Sequence, residues 1–177
     1  MRRCSKLVGL ALLGLWSGQA TAQAVSSTCL TRAEATGLMT YALPTAISAV
    51  VAQCSATLPS TSGLVQSGAV IAARYQPDAS RSWPAARDAM DKLSGIKMAE
   101  MLGEPAARKF VQATLGAGMR QKIKPADCPK IDRLMDVLQP LPATNMAALF
   151  VTLMEFSAEK DDKAPIRICP MLALNGK

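Results

Sequence analysis

Two pairs of carboxylates in this chain are spaced for chemistry: Glu100 with Glu104, and Asp88 with Asp91. Four and three residues apart, each pair would share one face of a helix. Paired carboxylates can divide the roles of general acid and general base, or nucleophile, in glycoside cleavage. Arg87, Lys92 and Lys97 stand beside both pairs. Such cations hold acids ionised, the opposite of what a general acid needs. Solvated surface acids are the favoured reading, and a small glycan-active hydrolase or lyase using Glu100 or Glu104 is the alternative.

Other chemistries lack their residues. The chain contains no histidine, which removes Ser-His-Asp and Cys-His nucleophile pairs and the commonest general base at neutral pH. Haem and zinc ligation lose their usual donor as well. No G-x-S-x-G, P-loop or G-x-G-x-x-G pattern occurs, so no catalytic residue, metal ligand or cofactor site is assigned and no cofactor is expected. Met98 and Met101 form the one close methionine pair. Their apolar helical setting favours core packing over copper binding.

The cysteines depend on compartment, and the N-terminus supplies one. Arg2, Arg3 and Lys6 precede a ten-residue apolar run, residues 7–16, and Ala22-Gln23-Ala24 follows as a peptidase site. The run is half the length a membrane span needs. Residues 1–24 therefore read as a cleaved signal peptide that takes Cys4 with it, leaving a chain that starts at Val25 or, by the Ala20-Thr21-Ala22 site, at Gln23. Cleavage removes three of the 20 basic residues and none of the 13 acids, so the net charge falls from +7 to +4. The remaining residues, 25–177, suit a single domain, exported to the periplasm or secreted, with no transmembrane segment. Cys29, Cys54, Cys128 and Cys169 should then form two disulfides.

Composition and spacing point to an all-α fold. Alanine, leucine and methionine dominate the apolar half of the chain, and aromatic residues make up only 4%. Thr31-Arg32-Ala33-Glu34 is a capping box opening a helix that buries Ala35, Leu38, Met39 and Ala42. Pro44 should end it and start a second helix with Ile47, Val50, Val51 and Cys54 inward. Folded back as a hairpin, these would bring Cys29 to Cys54. Further helices are expected over about 64–76, from Ser82-Trp83-Pro84 to Leu93, over 96–102, from Pro105 to about 123, from Cys128-Pro129 to Leu138, and over 144–158. The last is apolar nearly all round and is expected to be central. A second hairpin would join Cys128 to Cys169. The expected fold is an irregular or orthogonal bundle of six to eight short helices stapled by these two disulfides.

Two features bear on function. From Ala35 to Ala73 no residue carries a charge, a span of 39. Such a segment is either the middle of the bundle or a neutral face for a partner, on which Thr36, Thr40, Ser48 and Gln66 would lie. Basic residues gather between Arg108 and Arg133. At about 100° per residue, Lys109, Arg120 and Lys124 fall within roughly 60° on a helix. That strip could meet an anionic envelope component, whereas nucleic acid is not expected because no aromatic residues are interleaved for stacking. The expected function is a non-enzymatic binding protein of the cell envelope, of the inhibitor, immunity or chaperone-like kind, with another protein or a second copy as partner. A self-associating structural envelope protein is the further alternative.

Overall fold

The computed structural model describes residues 29–158 and 166–169. The expected signal peptide, residues 1–24, lies outside them. The order of elements is β1 (Cys29–Leu30), α1 (Arg32–Cys54), α2 (Gly63–Ser94), α3 (Met98–Leu102), α4 (Glu104–Lys122), a 3-10 turn (Pro125–Asp127), α5 (Cys128–Leu138), α6 (Ala143–Ala158) and β2 (Arg167–Ile168). The fold is mostly helical and carries two disulfides.

The capping box at Thr31 is formed. Thr31 Oγ1 accepts from the Glu34 N–H at 3.2 Å, and the Thr31 N–H donates to Glu34 Oε2 at 2.6 Å. The helix it opens does not stop at Pro44, as expected, but runs through it to Cys54. An internal proline costs about 3 kcal/mol in an isolated helix. Here Leu38, Tyr41, Leu43, Pro44 and Ile47 are all buried along one rod, and at about 2 kcal/mol per large buried side chain the packing outweighs the break. Pro77 and Pro84 likewise lie inside α2. Each withdraws the N–H that would meet a carbonyl four residues back. Those carbonyls belong to Ala73 and Ser80, both exposed, where water can take the bond. Two long helices therefore replace the four short ones expected.

α1 and α2 are antiparallel and closely apposed. A Cβ on Gly37 would stand 2.6 Å from Ala85 Cβ, and one on Gly68 would stand 2.3 Å from Val51 Cγ2. The seam on α2 runs Gly68, Ala72, Tyr75, Ala79, Trp83, Ala86, at three- and four-residue spacing. α1 also packs on α4 and α6, and is the central helix. By length and composition it could cross a membrane, but half of its most apolar stretch is buried within the fold. α6 lies to one side. Its small residues Ala143 and Ala147, with Met146 and Val151, turn inward and allow close approach, while Leu149, Leu153 and Phe156 are left exposed. The expectation of a central α6 is corrected accordingly.

The disulfides are Cys29–Cys169 and Cys54–Cys128. This corrects the expected Cys29–Cys54 and Cys128–Cys169 pairs. A continuous 23-residue α1 holds Cys29 and Cys54 apart by about 35 Å at 1.5 Å per residue, so no hairpin joins them. Instead β1 and β2 pair in parallel, Cys29 opposite Arg167 and Leu30 opposite Ile168, and the Cys169 N–H donates to the Leu30 carbonyl at 2.7 Å. One core cluster surrounds Cys54, Cys128, Leu64, Tyr75 and Met146. The other surrounds Leu30, Tyr41, Trp83, Val111 and Val151.

Candidate functional site

The four candidate carboxylates come together. Asp88 and Asp91 from α2, Glu100 from α3 and Glu104 from the first turn of α4 line one open cleft of about 320 Å³, with Arg87, Lys97 and Ala99. Every one of them is already engaged. Arg87 bridges Asp88 at 2.9 Å and Glu104 at 2.8 Å, Lys97 bonds Glu100 at 2.9 Å, and Asp91 accepts from the Met98 N–H at 3.2 Å. Glu104 also accepts from the indole N–H of buried Trp83. That bond first, and the Arg87 pair second, hold the Glu104 carboxyl below its ordinary range. Bonds to Asp88, Glu104 and Glu100 raise Arg87 and Lys97 in turn. A general acid needs a carboxyl raised toward neutrality. This cleft lowers one, and gives the glycan-cleaving alternative no support.

The cleft has a structural use. The Arg108 guanidinium lies over the Trp83 ring at 5.0 Å, Tyr41 tilts against the same ring at 5.0 Å, and the Tyr41 hydroxyl donates to the Arg108 carbonyl at 3.3 Å. Burial raises the Tyr41 hydroxyl above its ordinary value. These bonds fasten the start of α4 onto α1 and α2. Lys92 turns away from the cleft to pair with Glu34 at 3.0 Å. Glu34 is lowered, chiefly by the Thr31 N–H and then by Lys92.

A second depression lies over the uncharged segment. Pro44, Thr45 and Ser48 of α1, Ala69, Ala72, Ala73 and Gln76 of α2, and Gln112 of α4 line a shallow trough of about 680 Å³ without one ionisable side chain. Its geometry follows from the small residues on α2 and from Gly116, which lets α4 approach Thr45; a Cβ there would stand 3.3 Å from Thr45 Cγ2. Of the four residues proposed for a neutral face, Ser48 is exposed and lines the trough, and Gln66 is exposed but stands outside it. Thr36 is half-buried. Thr40 is 1% exposed, with its hydroxyl donating to the Thr36 carbonyl at 2.8 Å, so it belongs to the core and not to the face. Ala69 and Ala73 fall inside the uncharged span. Gln112, 39 residues beyond Ala73, carries no signal in sequence.

The cationic strip is also redrawn. Lys109 and Arg120 lie on α4, but the helix ends at Lys122 and Ile123 is extended, so Lys124 leaves the helical register that aligned it with them. Among the described residues, Lys109, Arg120, Lys122, Lys124, Lys130 and Arg133 take part in no ion pair. Met101, expected in the core with Met98, is 73% exposed on the short α3. Among the described residues no three His, Cys, Asp or Glu side chains are grouped to hold a metal. No protein-family model matches the chain, and neither does any curated protein or solved structure.

Proposed function

We propose that this chain is an exported, non-enzymatic binding protein of the cell envelope that takes its partner, another protein or a second copy, at the uncharged trough over α1, α2 and α4. The trough carries this reading. Six of its eight lining residues belong to a 39-residue span without charge, whereas α1, α2, α4 and α6 are tied together elsewhere by ion pairs. A neutral floor of alanine and proline rimmed by Ser48, Gln76 and Gln112 suits an uncharged segment that buries apolar surface and exchanges a few hydrogen bonds. Two disulfides accord with an oxidising compartment.

The test separates face from core. Ser48→Arg should change stability by less than about 0.5 kcal/mol, as exposed substitutions do. It should also weaken self-association in sedimentation, or abolish the adduct formed by a photo-crosslinker placed at Gln76. Thr40→Arg should cost more than about 3 kcal/mol, because it buries an unpaired charge. A Ser48→Arg protein that associates and crosslinks like the parent would end this reading.

A further inference from the structure

α5 sorts its side chains by charge. Ile131, Met135 and Leu138 face the core. Asp132 and Asp136 face the N-terminus of α2: Asp132 Oδ1 accepts from the Leu64 N–H at 2.7 Å, and Asp136 Oδ1 lies 2.1 Å from where a Cβ on Gly63 would sit. Carboxylates placed there are favoured by the helix dipole and the free N–H groups. With Asp132 bonded to α2 and Asp136 on the same side of the helix, the remaining face of α5 is Lys130, Arg133, Leu134 and Val137. These occupy positions i, i+3, i+4 and i+7, an arc of about 100° at 100° per residue. All four are exposed, Leu134 by 49% and Val137 by 73%. Just upstream, Arg120, Lys122 and Lys124 are exposed too, and Met119 beside them is 37% exposed. None of these five cations makes an ion pair.

We infer that this face of α5 docks the protein on a bilayer surface rich in anionic phospholipid, with Arg120, Lys122 and Lys124 upstream in the chain adding long-range positive charge. A membrane interface accepts both kinds of side chain on one plane: cations at the headgroups, and leucine and valine at the acyl boundary. The stripe runs along the outside of a helix, and neither the trough nor the charged cleft includes a residue of α5. The disulfide Cys54–Cys128 fixes the first residue of α5 to the end of α1, so the face is presented without an ordering cost at binding. Each cation near an anionic surface is worth about a five-fold gain in binding, and the sum is weakened by salt. The site is separate from the trough and does not depend on it.

Co-sedimentation with vesicles tests it, using the chain from residue 25 with both disulfides formed. Binding to vesicles of phosphatidylglycerol and phosphatidylcholine in equal parts should exceed binding to pure phosphatidylcholine by more than about 50-fold. It should fall at least ten-fold between 0.05 and 0.3 M salt. Lys130→Glu with Arg133→Glu should lower binding by more than about 25-fold, whereas the charge-matched Arg81→Glu with Lys97→Glu should lower it less than five-fold. Leu134→Ser with Val137→Ser should cost several-fold while keeping the salt dependence. Thermal melts would confirm that each variant is folded. Equal binding to both vesicle types, or equal losses in the two charge-reversal pairs, would overturn the proposal. So would serine variants that bind vesicles like the parent while the protein binds polyglutamate with the same salt dependence, since that pattern belongs to an acidic protein partner.

Discussion

Glu104 accepts hydrogen bonds from the Trp83 indole and from Arg87 at once, and its depressed pKa has a consequence for stability. A carboxyl whose folded pKa lies below its unfolded value stabilises the fold above the ordinary carboxylate range. That contribution is lost as pH falls through the folded pKa. Glu34 behaves the same way. With no histidine in the chain, stability should be flat between about pH 5.5 and 7. Below about pH 4.5 it should decline. Glu104→Gln should melt lower than the parent at pH 7, and the two should converge as pH falls through the folded pKa of Glu104. Parallel melting curves across that range would show that the Trp83–Glu104 bond is not coupled to folding. The pairing of acids with local cations was legible in the sequence, because Arg87 and Lys97 are near neighbours of Asp88 and Glu100. The Trp83–Glu104 bond was not, since it joins positions 21 apart on different helices.

At the scale of elements, the long helices hold the main departure from what the residues alone suggested. Of the stripes read from spacing on α1, Ala35, Leu38, Ile47 and Cys54 are buried while Met39, Ala42, Val50 and Val51 are half-buried; on α2, Leu64, Gly68, Ile71 and Tyr75 stand at helical spacing and are buried. Their continuity through Pro44, Pro77 and Pro84 was not, because a proline's cost is local while the packing that offsets it is tertiary. Glycine offers a test with opposite signs. Alanine is favoured over glycine in a helix by about 0.8–1 kcal/mol. At Gly118 a Cβ meets nothing within 4 Å, so Gly118→Ala should raise stability by about that amount. At Gly37 the added methyl would meet Ala85 Cβ at 2.6 Å, an atom fixed to the α2 backbone. Overpacking of this kind costs about 1–3 kcal/mol, so Gly37→Ala should be neutral or destabilising. Denaturant unfolding of both variants would check the pair. A stabilised Gly37→Ala would mean the α1–α2 seam is looser than described.

For the whole molecule, the four cysteines after residue 24 and the capping box were informative, but connectivity depended on whether α1 was one rod or two. The observed bonds are nested: Cys29–Cys169 encloses Cys54–Cys128, with sequence separations of 140 and 74. Nesting sets an order of events for a chain that emerges from its N-terminus. Cys29 and Cys54 appear first, and each then waits for a partner far downstream. At about 5–20 residues per second the wait for residue 169 lasts roughly 7–30 seconds, ample for a thiol to be oxidised by the wrong neighbour. For most of that time each is the other's sole available mate. What separates them is the stiffness of α1, and an isolated helix of this length interrupted by Pro44 is marginal. Quenched oxidative refolding should therefore trap a transient Cys29–Cys54 species. It should be scarcer in Pro44→Ala, whose helix is restored, and disulfide isomerase should shorten its lifetime. Native bonds forming first in the parent would mean that α1 is rigid before anything packs against it, and that a rod 23 residues long is the chaperone of its own cysteines.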